Sequence, residues 1–244
     1  MSPDTLKKQL RAATTTAEVK KLLAPLHFEL GWDQADSCKA ESAPAAVTLD
    51  VFRARIMSSE TVDVVLQVRG NVCEYLPLLA GAVLHPLAEK NVYCLTGMPF
   101  LPGLDTSYSS SPPRVVFAFE NLTDPVRQVF KVDFYRESSR TEESVISYWE
   151  AQKGTLEEIF KLGVLTGIAS AVVSTSVEMS ISAEGKEFPR RLRLRERARN
   201  CGKEVTLPSG AVQYHDECSE ASNEVVYCYK RTGPQSPGVY VECG

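Results

Sequence analysis

Residues 189–201 read PRRLRLRERARNC, and the conformation of this stretch decides how the rest is read. Six arginines and one glutamate fall between Arg190 and Arg199. Wound as a helix, the arginines would spread around the cylinder and Leu192 and Leu194 would mark no stripe. Extended, Arg191, Arg193, Arg195, Arg197 and Arg199 share one face, and Leu192, Leu194, Glu196 and Ala198 share the other. The period-two pattern is the cleaner one. It predicts a strand with an arginine face, entered through a turn at Glu184-Gly185-Lys186.

The strand pattern extends in both directions. Val173, Thr175, Val177, Met179 and Ile181 alternate with Ser174, Ser176, Glu178, Ser180 and Ser182 before that turn. After the arginines, residues 203–207, 211–214, 225–231 and 239–243 complete a meander. Upstream, Val47, Leu49 and Val51 pair as a hairpin with Val62, Val64, Leu66 and Val68. A second hairpin joins Val115, Phe117 and Phe119 to Phe130, Val132 and Phe134 around a turn at 121–125.

Helices are expected at the N-terminus, where Pro3 and Asp4 suit a first turn and Thr15-Thr16-Ala17-Glu18 is a capping-box pattern. The apolar run 77–87 also reads as a short helix, as do the segment from Thr141 through Trp149 and the segment 155–162. The expected fold class is therefore α+β: an antiparallel β-sheet of hairpins and a C-terminal meander, with a few packed helices and the N-terminal helices. The expected organisation is a helical segment 1–32, a linker 33–46 and an α+β domain 47–244, divisible into hairpin-plus-helix units 47–165 and 166–244. Residues 102–113 read as a long loop.

The chain has 244 residues, 43% of them hydrophobic and 24% charged, which is ordinary globular usage. Its net charge is −4, while the window 190–199 carries 6 − 1 = +5, so the remainder carries −4 − 5 = −9. A bulk polyanion binder is excluded, and any anion recognition has to be local.

Seven cysteines cannot all pair within the chain. The opening MSPDTLKKQL has no apolar core after its charges, so the sequence predicts free thiols in a reducing, intracellular setting, cytoplasmic or nuclear. A mitochondrial address stays open through Lys7, Lys8, Arg11, Lys20 and Lys21. The longest uncharged run, 162–177, is sixteen residues and short for a membrane span, so none is expected.

Five like charges two residues apart lie about 7 Å from their neighbours, inside the screening length of about 10 Å, and need an offset. Asp216, Glu217, Glu220 and Glu224 could supply it from within the chain. An acidic protein partner is the second source, since the guanidinium fork holds carboxylates bidentately. Nucleic acid is the third: Tyr227, Tyr229 and Arg231 share a face in VVYCYKR, and tyrosines beside arginines can stack bases and hold phosphates. The first expectation is a non-catalytic binding subunit or adaptor that docks an acidic protein through the arginine strand. RNA or single-stranded nucleic-acid binding is the alternative.

RLRLRER, followed by a turn and another strand, is similar to the basic strands that line triphosphate tunnel enzymes. The similarity covers one strand. It implies an enzyme acting on a phosphorylated substrate, and such enzymes also need a Glu-x-Glu pair to hold a divalent metal. No Glu-x-Glu occurs in the chain, and Ser180 and Ser182 stand where acids would be wanted.

Cys201, His215, Cys218 and Cys228 are candidate zinc ligands, but they form no pair of close CxxC knuckles, so no metal and no cofactor is expected. Of the three histidines, His27 and His85 lie among apolar neighbours and read as packed core residues. No GxSxG elbow, phosphate-binding loop, GxGxxG turn or HExxH helix is present, and no catalytic residue is assigned.

Overall fold

The computed structural model describes residues 3–26, 43–72, 76–87, 93–97, 114–137, 141–152, 154–169, 174–231, 233 and 238–244. The expected loop 102–113, most of the expected linker 33–46 and His27 lie outside them. The chain forms two compact units, residues 1–107 with 151–156, and residues 108–150 with 157–244.

In the first unit, helices α1 (Pro3–Ala12) and α2 (Thr16–Leu23) accompany a four-stranded antiparallel sheet. Its strands β1 (Ala45–Ala54), β2 (Asp63–Val72), β3 (Leu76–Pro86) and β4 (Tyr93–Gly97) lie in chain order. The capping box forms as its sequence predicts: the Thr15 side chain accepts the Glu18 amide, while Glu18 accepts the Thr14 and Thr15 amides. These amides, Thr14 first, hold the Glu18 carboxyl below its ordinary pKa. Leu6, Leu10, Val19 and Leu23 pack on Val47, Leu49, Leu66 and Val68. Each buried aliphatic side chain contributes about 2 kcal/mol, so the helices are held by the sheet rather than by their own short length. Gly70 sits where a β-carbon would lie 2.1 Å from the Ala46 carbonyl oxygen, so the β1–β2 approach excludes any side chain there.

The second unit is built from an eight-stranded antiparallel meander, apart from residues 151–156 at one hairpin turn. In chain order its strands are β5 (Arg114–Glu120), β6 (Val129–Glu137), β7 (Thr141–Gln152), β8 (Thr155–Ala169), β9 (Ser174–Glu184), β10 (Arg191–Thr206), β11 (Val212–Arg231) and β12 (Gly238–Glu242). The sheet curls on itself. Phe160 on β8 meets Tyr227 on β11 edge-on, with ring centroids 4.9 Å apart, and Tyr240 on β12 at 6.4 Å. These rings share a core with Leu122, Val129, Ile146, Tyr148, Ile159 and Leu192.

The protein is therefore rich in antiparallel sheet with only two short α-helices among the described residues, and no described helix is long and apolar enough to cross a membrane. The helices expected at 77–87, 141–149 and 155–162 are strands β3, β7 and β8. In β3 and β7 the physical reason is burial on both faces: Ala82 and Val83 are adjacent and both fully buried, and Val145 through Tyr148 form four buried residues in a row. In β8 the exposed pair Glu157-Glu158 beside the buried pair Ile159-Phe160 breaks the alternation. A strand covered on both sides loses its polar alternation and mimics a buried helix. Gly154, with φ of 87°, turns the chain between β7 and β8.

Candidate functional site: the arginine ribbon

Residues 191–206 are extended, as the period-two pattern predicts, and β10 lies between β9 and β11. Leu192 and Leu194 are buried, which turns Arg191, Arg193, Arg195, Arg197 and Arg199 to the opposite face. Residues that pair directly across a ladder share a face. The register sets Glu184, Ser182, Ser180 and Glu178 opposite Arg191, Arg193, Arg195 and Arg197, and Glu224 and Glu220 opposite Arg195 and Arg199.

The carboxylates are used. Arg193 pairs with Glu184 at 2.5 Å and also with Glu224. Arg195 reaches the second oxygen of Glu224 at 3.0 Å, and Arg197 reaches Glu220 at 2.7 Å. The Arg199 guanidinium lies 3.7 Å from the Cys218 sulfur. Hydrogen bonding from Arg197 lowers the Glu220 pKa, and hydrogen bonding from Arg195 lowers that of Glu224. Counted over Arg191–Arg199 and the β9 and β11 residues opposite them, five arginines and the four glutamates 178, 184, 220 and 224 leave 5 − 4 = +1, not +5. The charge that is dense in the sequence is nearly neutral in the fold.

The ladder nevertheless stays at the surface. The side chains of Arg195 and Arg197 are 62% and 65% exposed. From Arg195 onward the ribbon has no buried residue among those described on β9, β10 or the 217–224 stretch of β11. A shallow open depression of about 640 Å³ lies here, lined by Glu178, Met179, Ser180, Arg195, Glu196, Arg197, Ser222, Asn223 and Glu224. Among the described residues, the arginines face this open depression.

Tyr227, Tyr229 and Arg231 do not join the arginines. Tyr227 pairs with Leu192 and Val226 pairs with Arg193, so the tyrosines lie on the leucine side. Tyr229 donates to Glu150 at 2.8 Å and packs on Tyr240, with centroids 5.3 Å apart. Burial first, then the Glu150 carboxylate, raises the Tyr229 pKa. The Arg231 guanidinium lies 5.7 Å from the Tyr229 ring centroid. The combined Arg/Tyr face expected for base stacking is therefore split between the two sides of the sheet.

Glu150, which the sequence did not single out, is the centre of that inner group. It is almost fully buried and accepts from Thr123 at 2.6 Å, Arg127 at 3.0 Å and Tyr229 at 2.8 Å. Asp124 holds the same loop by accepting the Val126 and Arg127 amides, which lower its pKa. A lone glutamate between Trp149 and Ala151 carries no local signal of such a role.

The expectation of free thiols is corrected. Cys201 is disulfide-bonded to Cys218, directly across the β10–β11 ladder, and Cys228 is bonded to Cys243. Three of the four candidate zinc ligands are thereby consumed, and no group of three or more metal-binding side chains occurs among the described residues. The fourth, His215, pairs across the ladder with Lys203 in backbone register. Cys94 is a free, exposed thiol. No family model matches the chain, and comparison with curated proteins and with solved structures returns no significant similarity.

Proposed function

We propose that this protein is a non-catalytic binding subunit of a larger assembly, and that the arginine face of the β9–β11 ribbon docks an acidic surface of a protein partner. One observation carries the reading: Arg195 and Arg197 are held in line by Glu224 and Glu220 while remaining 62% and 65% exposed. Exposed ion pairs are individually weak, so a partner carboxylate can take the place of an internal one at small cost. The internal glutamates keep the guanidiniums extended and lower the ordering cost of binding.

A net face charge of +1 gives little of the counterion release that drives phosphate-backbone binding, and the tyrosines sit on the other side of the sheet. Both points favour the protein partner over nucleic acid. The paired sulfurs of Cys201–Cys218 and Cys228–Cys243 support folding in an oxidising environment.

The test is affinity purification of the full chain from its native cells, in parallel with an Arg195→Glu/Arg197→Glu variant whose fold is checked by circular dichroism. Loss of a specific acidic protein from the variant supports the reading. Retention of every co-purifying protein overturns it. Binding to a single-stranded oligouridylate that falls steeply with salt would return nucleic acid to first place.

A further inference from the structure

The first unit contains a row of three chemically active side chains that the arginine ribbon does not involve. Asp63 opens β2 and is completely buried. Its Oδ2 accepts the backbone amides of Ile56 and Met57, each at 2.8 Å. Its Oδ1 lies 2.6 Å from Nδ1 of His85 on β3. The buried carboxylate has no donor of its own, so Nδ1 of His85 carries the shared hydrogen and Nε2 is left as the basic nitrogen. The His85 side chain is 22% exposed, so the ring is not sealed in a core.

Cys94 on β4 is the direct ladder partner of His85. Directly opposed residues share a face, with β-carbons about 4.5–5.5 Å apart. Cys94 is an exposed thiol in a chain whose cysteines 201, 218, 228 and 243 are all oxidised to disulfides. Carboxylate, imidazole and thiol thus stand in order on three neighbouring strands. Among the described strand residues, the other charged groups on this face are Asp50 and Arg69, which pair with each other at 2.8 Å. Arg69 is six residues along β2 from Asp63, roughly 20 Å away. Tyr93 precedes Cys94 on β4 and points to the opposite face.

We propose that Cys94 is a nucleophilic thiol served by the Asp63–His85 pair, and that its reaction partner is a small disulfide. Nε2 of His85 takes the Cys94 proton. The thiolate attacks one sulfur of the disulfide, the S–S bond breaks, and a mixed disulfide forms on Cys94. The departing sulfur leaves with the bonding electron pair and takes back the proton from His85. One disulfide is consumed and one is made, so the small disulfide is the only oxidant required. Asp63 touches neither reactant. It is a positioning residue that fixes the imidazole tautomer and orientation.

The experiment exposes the folded full chain to oxidised glutathione at pH 7 and follows modification of Cys94 by peptide mass, in the native sequence and in His85→Asn and His85→Phe. The asparagine variant retains a donor toward Asp63 and removes the base. An ordinary cysteine is only a few per cent thiolate at neutrality, so loss of the base slows modification at least about tenfold. At pH 10, where a base is no longer needed to form an ordinary thiolate, the rates are expected to converge. Equal rates at pH 7 in the native chain and the well-folded His85→Asn variant would overturn the proposal, and so would failure of Cys94 to react at all. Melting curves show whether each variant is folded. Because the ribbon is untouched, the outcome is independent of partner docking.

Discussion

Across the β10–β11 ladder, Arg197 Nη2 lies 2.7 Å from Glu220 Oε2, so the arginine strand carries its own counter-charge on its nearest neighbour. With Glu224 bridging Arg193 and Arg195, this makes the face a ladder of both signs.

Removing those counter-charges is expected to strengthen the anion binding of this face. Glu224→Gln raises the face from +1 to +2, and adding Glu220→Gln raises it to +3, counting the same five arginines and the remaining glutamates. Elution from a heparin column is expected to move to higher salt in that order, with little change in melting temperature because the pairs are exposed. Unchanged elution would mean that the arginines are not available to an external anion.

Acid is expected to loosen the ribbon before it unfolds the core. Glu220 and Glu224 titrate below the ordinary glutamate value of 4.5 in the folded chain. Their stabilising contribution is therefore present above that value and is lost as pH falls below it, through the depressed folded pKa. Carboxyl carbon resonances followed by nuclear magnetic resonance are expected to give midpoints under 4.5 for both residues. Midpoints at or above it would contradict the ion-pair ladder.

Glu150 is expected to be the most sensitive single carboxylate of the second unit. Glu150→Ala leaves Arg127 and Tyr229 without their buried partner and is expected to cost on the order of 3 kcal/mol in urea unfolding. Tyr229→Phe removes one hydrogen bond and is expected to cost about 1 kcal/mol. Gly238→Ala tests the same group sterically, because a β-carbon there would lie 2.1 Å from the Tyr229 ring, which Glu150 and Tyr240 hold in place. Overpacking of this kind costs about 1–3 kcal/mol.

The two disulfides are expected to act on different scales. Cys201–Cys218 clasps the exposed ribbon, so a Cys201→Ser/Cys218→Ser variant is expected to raise amide exchange in residues 195–224 and leave the core protected. Cys228–Cys243 ties β12 to β11 and holds Tyr240 in the core, so its removal is expected to lower global stability by about 3 kcal/mol for a loop of this size. Hydrogen exchange with mass readout separates the two patterns.

Much of the strand content was legible because half-buried strands keep their alternation. The arginine stretch, the hairpin of Phe117 with Phe130, and the Val47–Val68 hairpin all carry a two-residue period and all fold as read. The Thr15–Glu18 cap was legible because its chemistry spans four residues. The segments 77–87 and 141–149 mimic helices because burial on both sides erases the period, and 155–162 does so because Glu157-Glu158 and Ile159-Phe160 fall as like pairs. In the sequence His85 looks like a packed core residue because its neighbours are apolar, while its partner Asp63 stands 22 positions away.

By itself the sequence determined which residues of the arginine strand project together, where the caps and glycine turns fall, and that bulk charge cannot drive polyanion binding. Tertiary structure alone decided that Tyr227 stands beside Leu192 rather than beside Arg193, that four glutamates reduce the charge around the arginines to +1, and that Cys201 meets Cys218. The physical reason is register. Periodicity within one strand says which side chains share a side, but a shift of one residue between strands exchanges the two sides. That shift is settled by the packing of the whole curled sheet around Phe160, Leu192 and Tyr240.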